Sequence, residues 1–299
     1  MVPSTDNSWQ VLQSQEDLSR NFVLPKDDGG FLEARYVRRT PEYFIVYLSS
    51  QTGCNQSCRF CHLTATGQTQ FTQVTPEEFL AQADQVLAYY DSIRDSQGPA
   101  KRVNFNWMAR GEPLANPHLL AHTREIVEAL GEKAALRGLD AHFNISSILP
   151  RSLAGQRLST WFHGLQVTFY YSLYSLDPVF RKRWLPKALP ATEGLDMLVD
   201  WQADGGPEIV IHGALIAGEN DADADLDALA AAVTARGVNA RVNLVRYNPY
   251  SERQGQETAE ELLEAKFQRL AGPLGNPNSR IVPRVGFDVK ASCGMFVVG

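Results

Sequence analysis

The run Cys54-Asn55-Gln56-Ser57-Cys58-Arg59-Phe60-Cys61-His62 gathers three of the four cysteines of the chain into a CxxxCxxC spacing, with an aromatic residue directly before the last of them. Three explanations compete for so dense a cluster. A structural zinc site wants four ligands closed into a tetrahedron, usually from two CxxC-type pairs, and here there is a single knuckle. His62 completes a Cys3His set only if two adjacent residues both turn onto one metal. A disulfide framework needs paired thiols in an oxidising compartment, which three clustered cysteines and the distant Cys293 do not supply. A [4Fe-4S] cluster is normally held by four thiolates. Three in one loop would leave one iron open to an outside ligand, and an open iron is a site for chemistry.

Composition sets the bounds around this loop. A length of 299 residues suits one or two domains, and α/β barrels commonly use that much as one. With 44% hydrophobic residues the chain can bury a full core. No apolar run approaches the roughly 18 residues of a membrane span. The polar start, Met1 to Arg20, lacks the apolar centre of a signal peptide, so a cytosolic (cytoplasmic) protein with free thiols and no membrane association is expected. The net charge of −6 means that any nucleic-acid binding must use a local basic face. Arg35, Arg38 and Arg39 form one such cluster, Arg181-Lys182-Arg183-Trp184 another, and Arg241 with Arg246 a third. The plain alternative for each is a solvated surface.

Along the chain, residues 1 to 20 read as a loosely held polar arm. Phe31 to Val37 and Tyr43 to Leu48 read as strands, a hairpin ahead of the main domain. Thr75-Pro76-Glu77-Glu78 combines an N-cap, a first-turn proline and a capping-box glutamate, and opens a helix to about Arg94. Strands then follow at Val103 to Met108, Ala141 to Ser146, Leu165 to Ser172, Ile209 to Ile216 and Ala240 to Val245. Helices alternate with them at Asn116 to Leu136, Thr192 to Gln202, Asp223 to Ala235 and Glu257 to Leu270. Short strand-like pieces, Ile281 to Val285 and Phe287 to Val289, end the chain. About six strand–helix units imply parallel strands with helices outside, short of the eight of a closed barrel. The expected fold is α/β, a partial (β/α)6 barrel, with residues 1–42 an N-terminal arm and hairpin extension and 43–299 the barrel with a C-terminal loop.

CxxxCxxC with Phe60 before its third cysteine resembles the signature of the radical-SAM enzymes, whose open iron chelates S-adenosylmethionine (SAM) and whose reduced cluster cleaves it to a 5′-deoxyadenosyl radical. The lead-in Ser49-Ser50-Gln51-Thr52-Gly53-Cys54 narrows the likeness to the RlmN/Cfr group, which methylates adenine carbons in RNA; it extends over roughly residues 30 to 299. The resemblance implies a partial radical-SAM barrel, a [4Fe-4S] cluster on Cys54, Cys58 and Cys61, and SAM. It also implies a nucleic acid or modified nucleobase as substrate, and an electron donor such as flavodoxin or ferredoxin.

Further residues follow from the barrel rule that function gathers at the C-terminal ends of strands. Gly111-Glu112-Pro113 follows the strand ending near Met108, where the family's Gly-Glu pair meets the SAM ammonium. Asn144, Ser146, Ser172 and Asn248, the last in Tyr247-Asn248-Pro249-Tyr250, are further SAM-binding candidates at strand ends. A lone serine or asparagine there is ordinarily a cap or a turn. Ala291-Ser292-Cys293-Gly294 matches the family's C-terminal loop, whose cysteine carries the methyl group, and Glu33 falls near its proton-abstracting glutamate, one residue offset. The family's second cysteine stands seven positions before the first cluster cysteine. Here that position is Tyr47.

The expected reaction is thus methyl transfer to a base carbon. Two alternatives stand beside it: radical isomerisation or rearrangement of a modified base, such as a hypermodified thymine in phage DNA, with Cys293 as hydrogen-atom donor, and a non-catalytic binding relative. The family's helical RNA-gripping N-terminal domain does not fit in the roughly 30 residues ahead of the likeness, which is the second departure from its pattern.

Overall fold

The computed structural model describes residues 8–298. Its frame is one ten-stranded sheet in which spatial order follows chain order. β1 (Gln10–Gln13), β2 (Arg20–Pro25), β3 (Phe31–Thr40) and β4 (Tyr43–Tyr47) pair antiparallel. From β4 onward the pairing is parallel, through β5 (Arg102–Trp107), β6 (Asp140–Ser147), β7 (Val167–Ser172), β8 (Ile209–Gly213), β9 (Ala240–Val245) and β10 (Arg280–Val282). The connections carry α1 (His62–Ala65) and α2 (Pro76–Gln97) after β4, and α3 (Pro117–Ala121) and α4 (Thr123–Ala135) after β5. α5 (Ser159–Phe162) follows β6, α6 (Pro178–Trp184) and α7 (Ala191–Ala203) follow β7, α8 (Asp223–Thr234) follows β8, and α9 (Glu260–Ala271) follows β9.

The period-two alternation of the strands gives the sheet two unlike faces. On β5, Val103, Phe105 and Trp107 join the core that also buries Phe79, Val86 and Leu87 of α2 and Ile126 and Leu130 of α4. Their neighbours Asn104 and Asn106 point the other way, into the lumen. Phe44 and Val46 alternate in the same manner with Tyr43, Ile45 and Tyr47 on β4. The outer face is therefore a dry helix–sheet core, and the inner face is a polar wall.

The partial barrel expected from the alternation is what forms, with corrections at its ends. The polar arm is not loose from Gln10 onward: β1 pairs with β2, a strand the sequence reading passed over, and β2 extends β3. Residues 1–7 lie outside the described residues. The single helix expected from Asn116 to Leu136 breaks at His122, whose φ of −120° and ψ of 22° leave helical geometry. Phe287 to Val289 is a turn rather than a strand, because Asp288 is engaged by the Ser14 hydroxyl (2.8 Å) and the Gln15 amide (2.8 Å).

Thr75 caps α2 as its sequence announces, accepting from the Glu78 amide while the Glu78 carboxylate accepts from the Thr75 amide (2.9 Å). Thr75→Ala should lower stability by about 1 kcal/mol, within the range for lost caps, read as a shift of the denaturant midpoint at unchanged m-value.

Candidate active site

The cysteine loop leaves the C-terminal end of β4 and is bent by local constraints. Ser57 takes a left-handed φ of 59°, and a Cβ on Gly53 would stand 2.2 Å from the Gln70 carbonyl oxygen. Phe60 stacks on Tyr174, ring centroids 4.4 Å apart, and this turns the flanking Cys58 and Cys61 toward the lumen. Across from them Gly111 has a φ of 96°, and an added Cβ would lie 2.5 Å from the Ser50 hydroxyl. The strand-end turn thus presses against the lead-in of the cysteine loop, a packing reason for glycine beyond the ligand approach expected from sequence.

These elements surround a cavity with about 900 Å³ of empty space, part of it open to solvent. Cys54, Cys58, Cys61, Gly111, Glu112, Ser146, Ser172, Asn248 and Cys293 all line it. Asn144 and Glu33 do not. Asn144 sits one rung deeper than Ser146 on β6 and donates to the Asn106 side chain at 2.7 Å. His62, the nominal fourth zinc ligand, has its Nε2 at 3.0 Å from the Asn248 carbonyl and its ring against Tyr250.

Burial dominates the electrostatics. It pushes the Cys54 thiol up to about 12 and Cys58 well above its ordinary value; Cys61 is also raised by burial, though Arg110 and Arg35 pull against it. Burial lifts Glu112 to about 7, although the amides of Leu114 (3.1 Å) and Ile148 (3.2 Å) donate to its carboxylate. Cys293 has open surface, but that surface faces cavities walled by protein, so burial pushes its thiol up to about 11.

Glu33 occupies a different place from the one expected. It is fully buried on β3, where Arg110 Nε and Arg35 Nη2 each donate to it at 2.7 Å, Asn21 Nδ2 at 2.8 Å and the Val297 amide at 3.1 Å. Burial alone would raise its carboxyl, yet the two guanidinium groups outweigh burial and hold it below the usual range. A carboxylate so occupied, and outside the cavity, is not placed to take a proton from a substrate. Its cluster grips the C-terminal loop instead. Arg35 donates to the Met295 carbonyl (2.7 Å) and Arg110 to that of Val297 (2.7 Å), while Asn248 Nδ2 holds the Cys293 carbonyl (3.0 Å) and the His62 amide that of Gly294 (3.1 Å). Sequence reasoning missed Arg110, the charge at the centre of this network; the signal was an arginine directly before Gly111-Glu112 in an otherwise apolar strand end.

No family model matches the chain. Among curated proteins, the probable dual-specificity RNA methyltransferase RlmN of Parafrankia sp. (strain EAN1pec) is 30% identical over 305 residues, covering 98% of this chain and 75% of the relative. The chain belongs to the RlmN family. The probable RlmN of Frankia alni is likewise 30% identical, over 87% of this chain, of which the chain spans 61% of the relative's length. A radical SAM methyltransferase from Sphaerobacter thermophilus shares the fold, with a TM-score of 0.74 at 23% identity, covering 96% of this chain and 79% of that one.

RlmN-family membership implies a [4Fe-4S] cluster and SAM, and the donor set fits both. Among the described residues no three His, Cys, Asp or Glu side chains converge as one metal ion demands. Cys54, Cys58 and Cys61 instead share the wall of one cavity, an arrangement suited to a cluster, where each thiolate meets a different iron. Raised thiols ionise readily only when a metal replaces their protons.

Two outcomes are expected. Glu112→Gln should weaken SAM binding roughly 10- to 150-fold, the loss of a charge-assisted partner worth about 1.5–3 kcal/mol. Because the carboxyl is neutral below about 7, wild-type affinity should fall as pH drops through that value while the variant stays flat, as measured by anaerobic equilibrium dialysis. Glu33→Gln should cost roughly 3–5 kcal/mol by leaving buried guanidinium groups without a counter-charge, and hydrogen exchange should speed up across residues 293–297.

Proposed function

We propose that this chain is a radical-SAM enzyme that methylates a nucleobase carbon with Cys293 as methyl carrier. The observation that carries the reading is the position of Cys293, on the wall shared by the cysteine-lined cavity and a second, polar cavity in the barrel lumen. A group on that sulfur faces both. Bound cluster and SAM supply the methyl group and the one-electron chemistry. The chain's own residues do the rest: Cys54, Cys58 and Cys61 hold the cluster, and Glu112 offers a carboxylate to the SAM ammonium. Gly111, Ser146, Ser172 and Asn248 shape the pocket, and Asn144 acts from one layer below by fixing Asn106. For Glu33 we propose positioning of the Cys293 loop in place of proton abstraction. The names of the relatives support a nucleic-acid substrate, and an electron donor such as flavodoxin or ferredoxin completes the scheme.

A second reading is favoured by Tyr47. Its hydroxyl lies 3.4 Å from Arg39 and lines the lumen cavity where the family pattern has a thiol. A phenol does not resolve a thioether-linked adduct as a thiolate does. A rearrangement of a base with Cys293 as hydrogen-atom donor needs no second thiol.

Mass spectrometry of Cys293 after turnover with labelled SAM separates the two. Methyl transfer predicts a labelled thioether about 14 Da heavier, one added CH2 on the thiol. An unmodified Cys293 with SAM consumed and no mass gained by the substrate would leave the rearrangement.

A further inference from the structure

Behind Cys293 the lumen opens into a second cavity that shares Ser146, Asn248 and Cys293 with the first and reaches beyond them to Arg39, Tyr43, Asn104 and Arg280. Its charges are unevenly balanced. Arg35 is neutralised by Glu33, and Arg246 and Arg284 by Glu257. Arg39 and Arg280 also line the cavity, and neither forms an ion pair with a carboxylate among the described residues. The one side-chain partner of Arg39 is the Tyr47 hydroxyl, and its Nε has none. A half-buried guanidinium without a counter-charge, as Arg39 is, favours an anion supplied from outside, and the exposed Arg280 stands on the same wall.

The rest of the wall is suited to a flat, hydrogen-bonding body. Asn243 is 3% exposed, and its Oδ1 faces no partner; Asn104 Oδ1 and His212 Nδ1 on the same wall are likewise unpaired. Buried polar atoms without partners are uncommon in folded proteins and mark positions where a ligand group completes the network. Tyr47 and Tyr170 add aromatic faces, the surface on which bases stack.

We propose that this chamber binds one nucleoside monophosphate unit, its phosphate at Arg39 and Arg280 and its base against the Asn104, Asn243 and tyrosine wall, presented toward Cys293. The inference rests on the nucleobase reading above and adds a phosphate subsite inside the lumen. The same chemistry comes from a free mononucleotide or from one nucleotide turned out of a strand.

Binding to the reconstituted, SAM-loaded enzyme tests it, with adenosine, AMP, uridine, UMP and a nine-nucleotide single strand as probes in calorimetry. At least one phosphate-bearing probe should bind tenfold or more tightly than its nucleoside. Arg39→Gln should erase that difference, and so should Arg280→Gln, a change at an exposed side chain that leaves folding intact. Tight AMP or UMP binding identifies a free nucleotide; binding of the strand alone, with the same dependence on Arg39 and Arg280, identifies a strand-borne one. Equal affinity for nucleoside and nucleotide with no strand binding, or binding indifferent to both substitutions, overturns the proposal. Its failure is separable from that of the methyl-transfer reading, because labelling of Cys293 by SAM is scored without any acceptor present.

Discussion

One carboxylate between two guanidinium groups, none of them open to water, holds this protein in its working shape. Glu33, Arg35 and Arg110 come from β3 and from the turn after β5; beyond their mutual pairing and the Asn21 amide of β2, their hydrogen bonds go to the last residues of the chain and to the segment around the cysteine loop. Burying three charges is costly, and replacing such a group by apolar residues is often neutral for stability. Its value lies in what it specifies. Arg110 reaches the Thr52 carbonyl at 3.1 Å and the Gln68 side chain at 2.8 Å, so the same cation fixes the lead-in to Cys54 and, through the Val297 carbonyl, the segment that follows Cys293. One side chain thus reaches both cysteine-bearing segments, more than two hundred residues apart in sequence, beside the direct bonds of the His62 amide to Gly294 and of Gln68 to Val297.

The cluster also carries a net positive charge, two arginines against one glutamate. That surplus sits beside a cavity whose three thiols must ionise to bind metal, and Arg110 and Arg35 both act on Cys61 against the cost of its burial. Arg35 and Arg39 act in the same sense on Cys293. A group that secures the loops therefore also offsets the negative charge that the site has to accumulate. The fold makes this possible by turning a polar face inward. In a closed barrel the lumen is filled by branched apolar side chains; here Asn104, Asn106, Asn243 and the arginines keep it polar and open, and the hydrophobic core lies outside, between strands and helices.

Much of this was legible in the chain itself. The parallel strands follow from alternating periods, α2 begins at its written cap, and the cysteine spacing with Phe60 pointed to the cavity that Cys54, Cys58 and Cys61 line. What stayed hidden depends on pairing over distance. β2 is short and ends in Pro25, so it declares itself only when β3 lies beside it. Glu33 reads as a reactive acid from its place near the family's proton-abstracting glutamate, while its neutralisation by Arg110 is separated from it by 77 positions. The lumen was written in period two at Asn104 and Asn106, and was overlooked because attention went to strand ends rather than strand faces.

Tyr47 shows how that oversight bears on chemistry. Judged by alignment with the cluster motif, it is a missing cysteine. Judged by position, it is the last lumen-facing residue of β4, two rungs above Tyr43, with Arg39 of the neighbouring strand against its hydroxyl. A thiol there would leave Arg39 without its one side-chain partner and would remove an aromatic face from the chamber. The tyrosine is thus part of a wall built with Arg39, and its identity follows from the cationic, hydrogen-bonding surface that wall presents. A change at this position alters what the chamber holds as much as which nucleophile it contains, so loss of the thiol and the shape of the acceptor site are a single physical difference.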